Sequence, residues 1–369
     1  MRRFNKLAAL AVVATFALAG CGGDDGGTTA EPNGNGSNDE CTTDGSGPKV
    51  GIAYDGSGRG DKSFNDAAWV AMQNAMKDFD ISCVEATPTG EDNDEARAER
   101  LRQLADAGME VIIGNGYAYT AAVSQVAPEY PEIYFAVTDG FTACGKTCAL
   151  PNDATENMVD LTFAEEQGSY LVGVAAALKT ETDHVGFVGG NTGPLITKFA
   201  AGYQAGVESV NPDITVDIQF LTEDTADIDT SFFNPTGGKQ AAEGMIDDGA
   251  DIIYQAAGQS GLGAIDAVVA AGDGHWAIGV DSDQYNTVSP EQQPFILTSM
   301  LKRVDVAIYE FIKAVEDGNP PSGAVVYDLS VDGVGYSTSG GFIDDITGEL
   351  DAAKESLASG EVTAPTTLE

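Results

Sequence analysis

The stretch GIAYDGSGRGDKSFNDAAWVAMQNAMKDF, residues 51–79, decides how the rest of the chain is read. A short apolar run passes through a glycine-rich loop into an amphipathic helix. Residues 50–54 have the length and content of a buried parallel strand. Ser63 is placed to cap the helix, and Asp66, three residues on, completes a weak capping box. Trp69, Met72, Met76 and Phe79 recur at helical spacing, so one face is buried. Phe64 and Asn65 then fall at the helix start, beyond the carboxyl end of the first strand. In open α/β sheets that crevice is where ligands bind. Asp61 and Ser63 lie close enough to join such a site.

Two phosphate readings of the loop fail. A P-loop needs glycine directly before Lys-Ser, and here Asp61 separates Gly60 from Lys62. The dinucleotide fingerprint finds Gly56 and Gly58 in its first two places but Asp61 in the third. Gly56, Gly58 and Gly60 either form a flexible turn or meet the ligand directly; both readings stay open here.

The chain begins with a targeting segment, residues 1–20. Arg2, Arg3 and Lys6 form a basic region, and residues 7–18 an apolar run too short to span a membrane. Leu18-Ala19-Gly20-Cys21 resembles the bacterial lipobox, which implies cleavage before Cys21 and lipid on its sulfur. Dual acylation anchors stably without a spanning helix. Residues 21–47, rich in Gly, Asp, Asn, Thr and Ser, read as a disordered tether. The expected location is the extracytoplasmic face of the cell membrane, with membrane contact through the anchor only.

The formal net charge is −40. Such a surface disfavours nucleic acid and anionic membrane. After Cys21, four cysteines remain: Cys41, Cys83, Cys144 and Cys148. In an exported chain an even number suggests two disulfides. Cys144 and Cys148 would close a small loop, and Cys41 and Cys83 could join the segments before the first two strands. A zinc site is the rival reading, but there is no second close cysteine pair and the sequence has 2 histidines. No metal or cofactor is expected.

Further along, strands are expected at 82–87, 109–114 and 133–138, with helices at 93–107 and 121–127. The third of these strands delivers Asp139 at its carboxyl end. This alternation gives a parallel, doubly wound sheet. A crossing strand at 157–163 and a helix at 165–178 lead to a second alternation. Its strands are 184–189, 215–221, 251–256 and 276–280, and its helices 194–210, 238–247 and 262–271. A strand at 295–300, a helix at 302–316, short paired strands at 325–329 and 335–337, and a helix at 350–357 complete the chain.

An ordered set of short motifs runs through these elements. It comprises Ser63-Phe64-Asn65, Glu166-Gln167-Gly168-Ser169-Tyr170-Leu171-Val172-Gly173, Gly186-Phe187-Val188-Gly189-Gly190 and Ala257-Gly258-Gln259-Ser260-Gly261-Leu262-Gly263. Gly279-Val280-Asp281-Ser282-Asp283-Gln284 and Leu297-Thr298-Ser299-Met300-Leu301-Lys302-Arg303-Val304-Asp305 close it. Together they resemble the basic membrane protein family of substrate-binding lipoproteins, whose best-understood members are purine nucleoside receptors of ABC importers. The resemblance covers about residues 48–337.

The resemblance implies a two-lobed type I periplasmic-binding-protein fold, each lobe a doubly wound parallel α/β sheet, with three hinge crossings near Val159, Thr298 and Val326. Lobe 1 would hold residues 48–158 and 302–325, and lobe 2 residues 159–301 and 326–358, with 359–369 a loose tail. It also implies a monomer that captures a purine nucleoside and passes it to an ABC permease and ATPase. On matching positions, Phe64 and Phe199 would stack on the two faces of the base. Asn65 and Asp139 would meet the base edge. Asp281 and Lys302 would hold the ribose hydroxyls, helped by backbone near Gly258.

The residue chemistry suits that ligand. Stacking is worth roughly 1–3 kcal/mol per base, and carboxylates accept from amino groups and hydroxyls. Asp61, Asp139 and Asp281 against Lys302 leave a negative balance, so nucleosides should be preferred to nucleotides. The alternatives are a sugar or autoinducer-like ligand on the same fold, or a nucleoside-hydrolysing enzyme. The enzyme is disfavoured: His184 and His275 stand at a strand start and in a turn, and neither a Gly-x-Ser-x-Gly elbow nor a His-Glu-x-x-His motif occurs.

Overall fold

The computed structural model describes residues 40–56, 58–89, 92–141 and 156–368. Cys21, Cys144, Cys148, the targeting segment and most of the tether lie outside the described residues. The chain runs β1 (Lys49–Tyr54), α1 (Phe64–Phe79), β2 (Ser82–Ala86), α2 (Asp94–Asp106), β3 (Val111–Asn115), α3 (Thr120–Val126), β4 (Tyr134–Thr138) and β5 (Met158–Phe163). It continues with α4 (Glu165–Lys179), β6 (His184–Asn191), α5 (Pro194–Val210), β7 (Thr215–Thr222), α6 (Ile228–Phe232), α7 (Pro235–Asp247), β8 (Ile252–Ala256), α8 (Gly258–Ala271), β9 (Trp276–Asp281) and β10 (Ile296–Lys302). Last come α9 (Val304–Glu316), β11 (Gly323–Tyr327), β12 (Val334–Tyr336) and α10 (Thr347–Ala358).

Two six-stranded sheets result, ordered β11-β5-β4-β3-β1-β2 and β12-β10-β9-β8-β6-β7. The matching orders make the lobes two copies of one plan. Apart from the antiparallel pair of β10 with β12, the neighbouring strands run parallel. Parallel strands covered on both faces must be apolar throughout, and Val50, Ile52, Ala53 and Tyr54 of β1 are fully buried. In α1, Trp69, Met72 and Met76 face that core as the spacing predicts.

Several expectations are corrected. Val159, Thr298 and Val326 lie within strands rather than at crossings. β5 and β11 both belong to the first sheet, so that lobe extends through Phe163 and regains the chain up to Tyr327. The strands near Tyr327 and Gly335 do not pair with each other: β11 pairs with β5, and β12 with β10. Neither β5 nor β11 meets a glycine or proline at its carboxyl end, so sequence marks no crossing there. Lys302 ends β10 instead of opening a helix. The tail is packed: Ala364 is buried, and Val362 and Leu368 lie against the core.

The last part of the expected tether, residues 41–47, is docked on the first lobe. Cys83 N donates to Thr42 O at 2.8 Å, and Ser46 Oγ to Asp80 Oδ2 at 2.7 Å. Cys41 and Cys83 are joined by a disulfide across 42 residues. Closing a loop of that length restricts the unfolded chain, so reduction should lower unfolding stability by about 3–4 kcal/mol. Urea unfolding with and without reductant measures this; a loss below about 1 kcal/mol would mean that the hydrogen bonds alone hold the segment.

Candidate ligand-binding site

Each lobe delivers its functional groups from the carboxyl ends of its strands. Asp139 follows β4 and Asp281 ends β9, the equivalent strand of the second lobe. Both take left-handed backbone, φ 61° and 63°, which turns each side chain into the crevice between the lobes. Phe64 opens α1 and Phe199 rides on α5, one from each lobe. Lys302, at the end of β10, reaches between them. These five residues, with Asn65 and Gly258, line one cavity.

The ammonium of Lys302 is its centre. Lys302 is 2% exposed. Its Nζ donates to Asp139 Oδ2 at 2.7 Å and lies 3.8 Å from Glu165 Oε1 and 3.9 Å from Asp281 Oδ1. The rings of Phe64, Phe163 and Phe199 have centroids 4.8, 5.2 and 5.4 Å from it. Burial works against the lysine's charge, but the three carboxylates outweigh burial and raise its pKa. Burial in turn pushes Asp281 and Glu165 up to about 7, against the pull of Lys302. Asp139 Oδ1 and Asp281 Oδ1 are buried without a hydrogen-bond partner among the described residues. Two unsatisfied carboxylate oxygens facing a crevice are an acceptor pair for ligand hydroxyl or amino groups.

The loop before α1 works differently from its sequence reading. Ser63 makes no side-chain cap. Asp61 takes that role: its carboxylate accepts from the backbone N–H of Ser63, Asn65 and Asp66 at 3.0, 2.8 and 3.1 Å. Burial raises the pKa of Asp61, and these amides oppose the rise. Asp66 accepts instead from Gly60 and Lys62 N–H. Asn65 is also committed. Its Nδ2 donates to Asp55 Oδ1 and Gly58 O, and its Oδ1 accepts from Asn115 Nδ2 at 2.7 Å. It can therefore offer a ligand one further acceptor lone pair, and no donor. Ser63 Oγ is fully buried and does not line the cavity.

Sequence reasoning missed Asp55, Tyr117, Phe232 and Glu165. Asp55 lies on the cavity wall, and burial pushes it up to about 7. Tyr117, from the loop after β3, crosses to the second lobe. Its hydroxyl donates to Thr225 O at 2.8 Å and accepts from Asn191 Nδ2 at 3.0 Å. On the other flank, Lys62 O accepts from Gln284 Nε2 and Thr287 Oγ1, and Ser63 O from Ser282 Oγ at 2.8 Å. Both flanks are thus fastened across the lobes. Gly56 is required by packing, because at φ 47° a Cβ there would lie 1.9 Å from the ring of Phe233.

The family described as "Bmp: ABC transporter substrate-binding protein PnrA-like" matches residues 48–367. The chain is 30% identical over 381 residues to the "ABC transporter nucleoside-binding protein BmpA" of Lactococcus lactis subsp. cremoris, covering 99% of both chains. It is 32% identical to the "Uncharacterized lipoprotein PYRAB04520" of Pyrococcus abyssi, covering 78% of this chain and 68% of that one. Among solved structures, a solute-binding protein of an ABC transporter system from Aeropyrum pernix K1 superposes with a TM-score of 0.72 at 26% identity, covering 87% of this chain and 94% of that one. Such relatives are non-enzymatic transport proteins, which implies a small-molecule ligand and ABC transporter partners. None of the helices of the described residues is long and apolar enough to cross a membrane. The match along nearly the whole folded chain places this protein in the Bmp family of PnrA-like ABC transporter substrate-binding proteins.

Proposed function

We propose that the protein is a lipid-anchored receptor, attached through Cys21 on the extracytoplasmic face, that captures a purine nucleoside and delivers it to an ABC permease and ATPase. The observation that carries this reading is the pair of rings, Phe64 and Phe199, brought from opposite lobes to one ammonium flanked by Asp139 and Asp281. A purine has two π-faces for such rings and a polar edge for the carboxylates. Asp139 and the free lone pair of Asn65 would accept from the base edge. Asp281 and Lys302 would hold the ribose hydroxyls, with Gly258 backbone beside them. The name of the Lactococcus relative agrees with this ligand class.

Calorimetric titration of the Cys21→Ala chain, stripped of ligand by unfolding and refolding, tests the proposal. Adenosine, guanosine and inosine should bind, and a pyrimidine nucleoside and ribose should not. Phe64→Ala and Phe199→Ala should each weaken binding about 5- to 150-fold, the scale of 1–3 kcal/mol per stacked base. A 5′-phosphate should cost at least about tenfold against this acidic wall. Binding of ribose as tight as that of the nucleosides would make the protein a sugar receptor. Equal binding of the monophosphate would overturn the pocket assignment.

A further inference from the structure

Glu165 is a deeply buried carboxylate at the crossing that follows β5, 1% exposed. It is the first residue of α4, just after the chain leaves β5, and it does not line the ligand cavity. Its two oxygens face different lysines. Oε2 accepts from Lys198 Nζ at 3.1 Å, and Oε1 lies 3.8 Å from Lys302 Nζ. Lys198 also donates to Phe163 O at 3.3 Å, the carbonyl that ends β5. Lys198 directly precedes Phe199 on α5, and the Lys302 ammonium sits against the rings of Phe163 and Phe199.

A carboxylate so buried is costly unless paired. Helix stability alone does not require it, because a solvated acid at α4's start would serve the dipole equally well. Here the acid is withdrawn from water and shared by two cations reaching it from different elements. Among the described residues the other groups around the pair are Asp139, Asp281, Glu166 and Asp328; Asp139 acts electrostatically on both lysines, but Glu165 is the carboxylate whose ion pairs reach both, at 3.1 and 3.8 Å.

We propose that Glu165 is a positioning residue for the ligand site: one oxygen sets the Lys302 ammonium between Asp139 and Asp281, and the other holds Lys198 and hence the turn of α5 that presents Phe199. This rests on the nucleoside reading for its binding arm only. The hinge carboxylate acts through both halves of the site, although it touches no ligand.

Two measurements test it. In lysine-labelled protein without ligand, Glu165→Gln should shift the Cε resonances of both Lys198 and Lys302, whereas the neighbouring Glu166→Gln, whose charge acts on Lys198, should leave Lys302 unmoved. In titration, Glu165→Gln should weaken adenosine binding about tenfold. Lys198→Met should weaken it by a similar factor, the double variant should be no weaker than Glu165→Gln alone, and Lys198→Arg should stay within threefold of the parent. Unmoved lysine resonances, or losses that multiply in the double variant, would overturn the proposal. Should the parent bind no nucleoside, the ligand reading falls, and the resonances still decide the role of Glu165. Should Glu165→Gln fail to fold, the contrast between Lys198→Met and Lys198→Arg decides it: equal affinities would refute the link.

Discussion

Lys302→Met will destabilise the folded protein by about 3–5 kcal/mol near neutral pH and abolish ligand capture. The size follows from what the lysine leaves behind. Asp139, Asp281 and Glu165 converge on its ammonium within 3.9 Å, and all three are nearly inaccessible to water. Removing one partner of a buried ion cluster is far more damaging than never having built it, because the remaining charges keep their desolvation cost. The loss should depend on pH with a definite sign. Burial holds Asp281 and Glu165 at about 7 in the folded protein, above the usual carboxylate value near 4. Between about pH 4 and 7 the folded state therefore binds more protons than the unfolded chain. The stability these groups contribute is full below about 4 and disappears as pH rises through 7. Without the lysine the carboxyls hold protons more tightly still, so the variant should recover on acidification. Unfolding of parent and variant at pH 8 and pH 5 measures this. The gap between them should narrow at pH 5; a constant or wider gap would show that the carboxylates do not depend on Lys302.

The sequence carried the frame of this arrangement more clearly than its wiring. Apolar runs such as residues 50–54 and 133–138 end in polar residues, and in a parallel sheet such endings point to the crevice. Asp139 was legible for that reason, Phe64 from its place at the helix start beyond that crevice, and Asp281 and Lys302 from the family resemblance. Lys302 was legible as a residue but misplaced in its element. Ile296–Lys302 and Val304–Glu316 are separated by a single residue, Arg303, and no proline or glycine marks the change. The cap of α1 was misassigned because Ser63 and Asp61 are both good acceptors at a helix start. Only the folded chain shows that it is Asp61 that faces the three amides. Asn65 reads as donor and acceptor in one dimension. Asn115, 50 residues later, takes its oxygen and fixes which way the amide faces. Glu165 was hidden by its ordinariness, since an acid in the first turn of a helix needs no special explanation. Its partners come from α5 and the end of β10, more than 30 residues away in sequence, and no local pattern announces that.

Gly206→Ala will lower the stability of the protein by about 3 kcal/mol and weaken ligand binding with it, whereas Gly244→Ala will raise stability by about 0.5–1 kcal/mol. The two are the same substitution in a helix interior, and intrinsic propensity favours alanine in both. What separates them is the neighbouring backbone. A Cβ at Gly206 on α5 would lie 2.1 Å from Tyr170 O of α4, and one at Gly202 would lie 2.2 Å from Glu166 O. The two helices touch backbone to backbone, so a methyl group cannot be accommodated by a rotamer change; the helices must separate. At Gly244 on α7 nothing lies within 4 Å. The contact also matters for the site. The α4–α5 pair carries Glu165 on one helix and Lys198 and Phe199 on the other, and its close approach lets Glu165 reach Lys198 at 3.1 Å. Separating the helices by even an ångström would stretch that ion pair and tilt Phe199 away from the ammonium. Thermal unfolding of the two variants, paired with ligand titration, checks the argument. Opposite stability shifts are expected, with affinity lost in Gly206→Ala alone. Shifts of the same sign would mean that the helix contact has room to spare. Unchanged affinity in a destabilised Gly206→Ala would mean that Phe199 is held by something other than the α4–α5 contact.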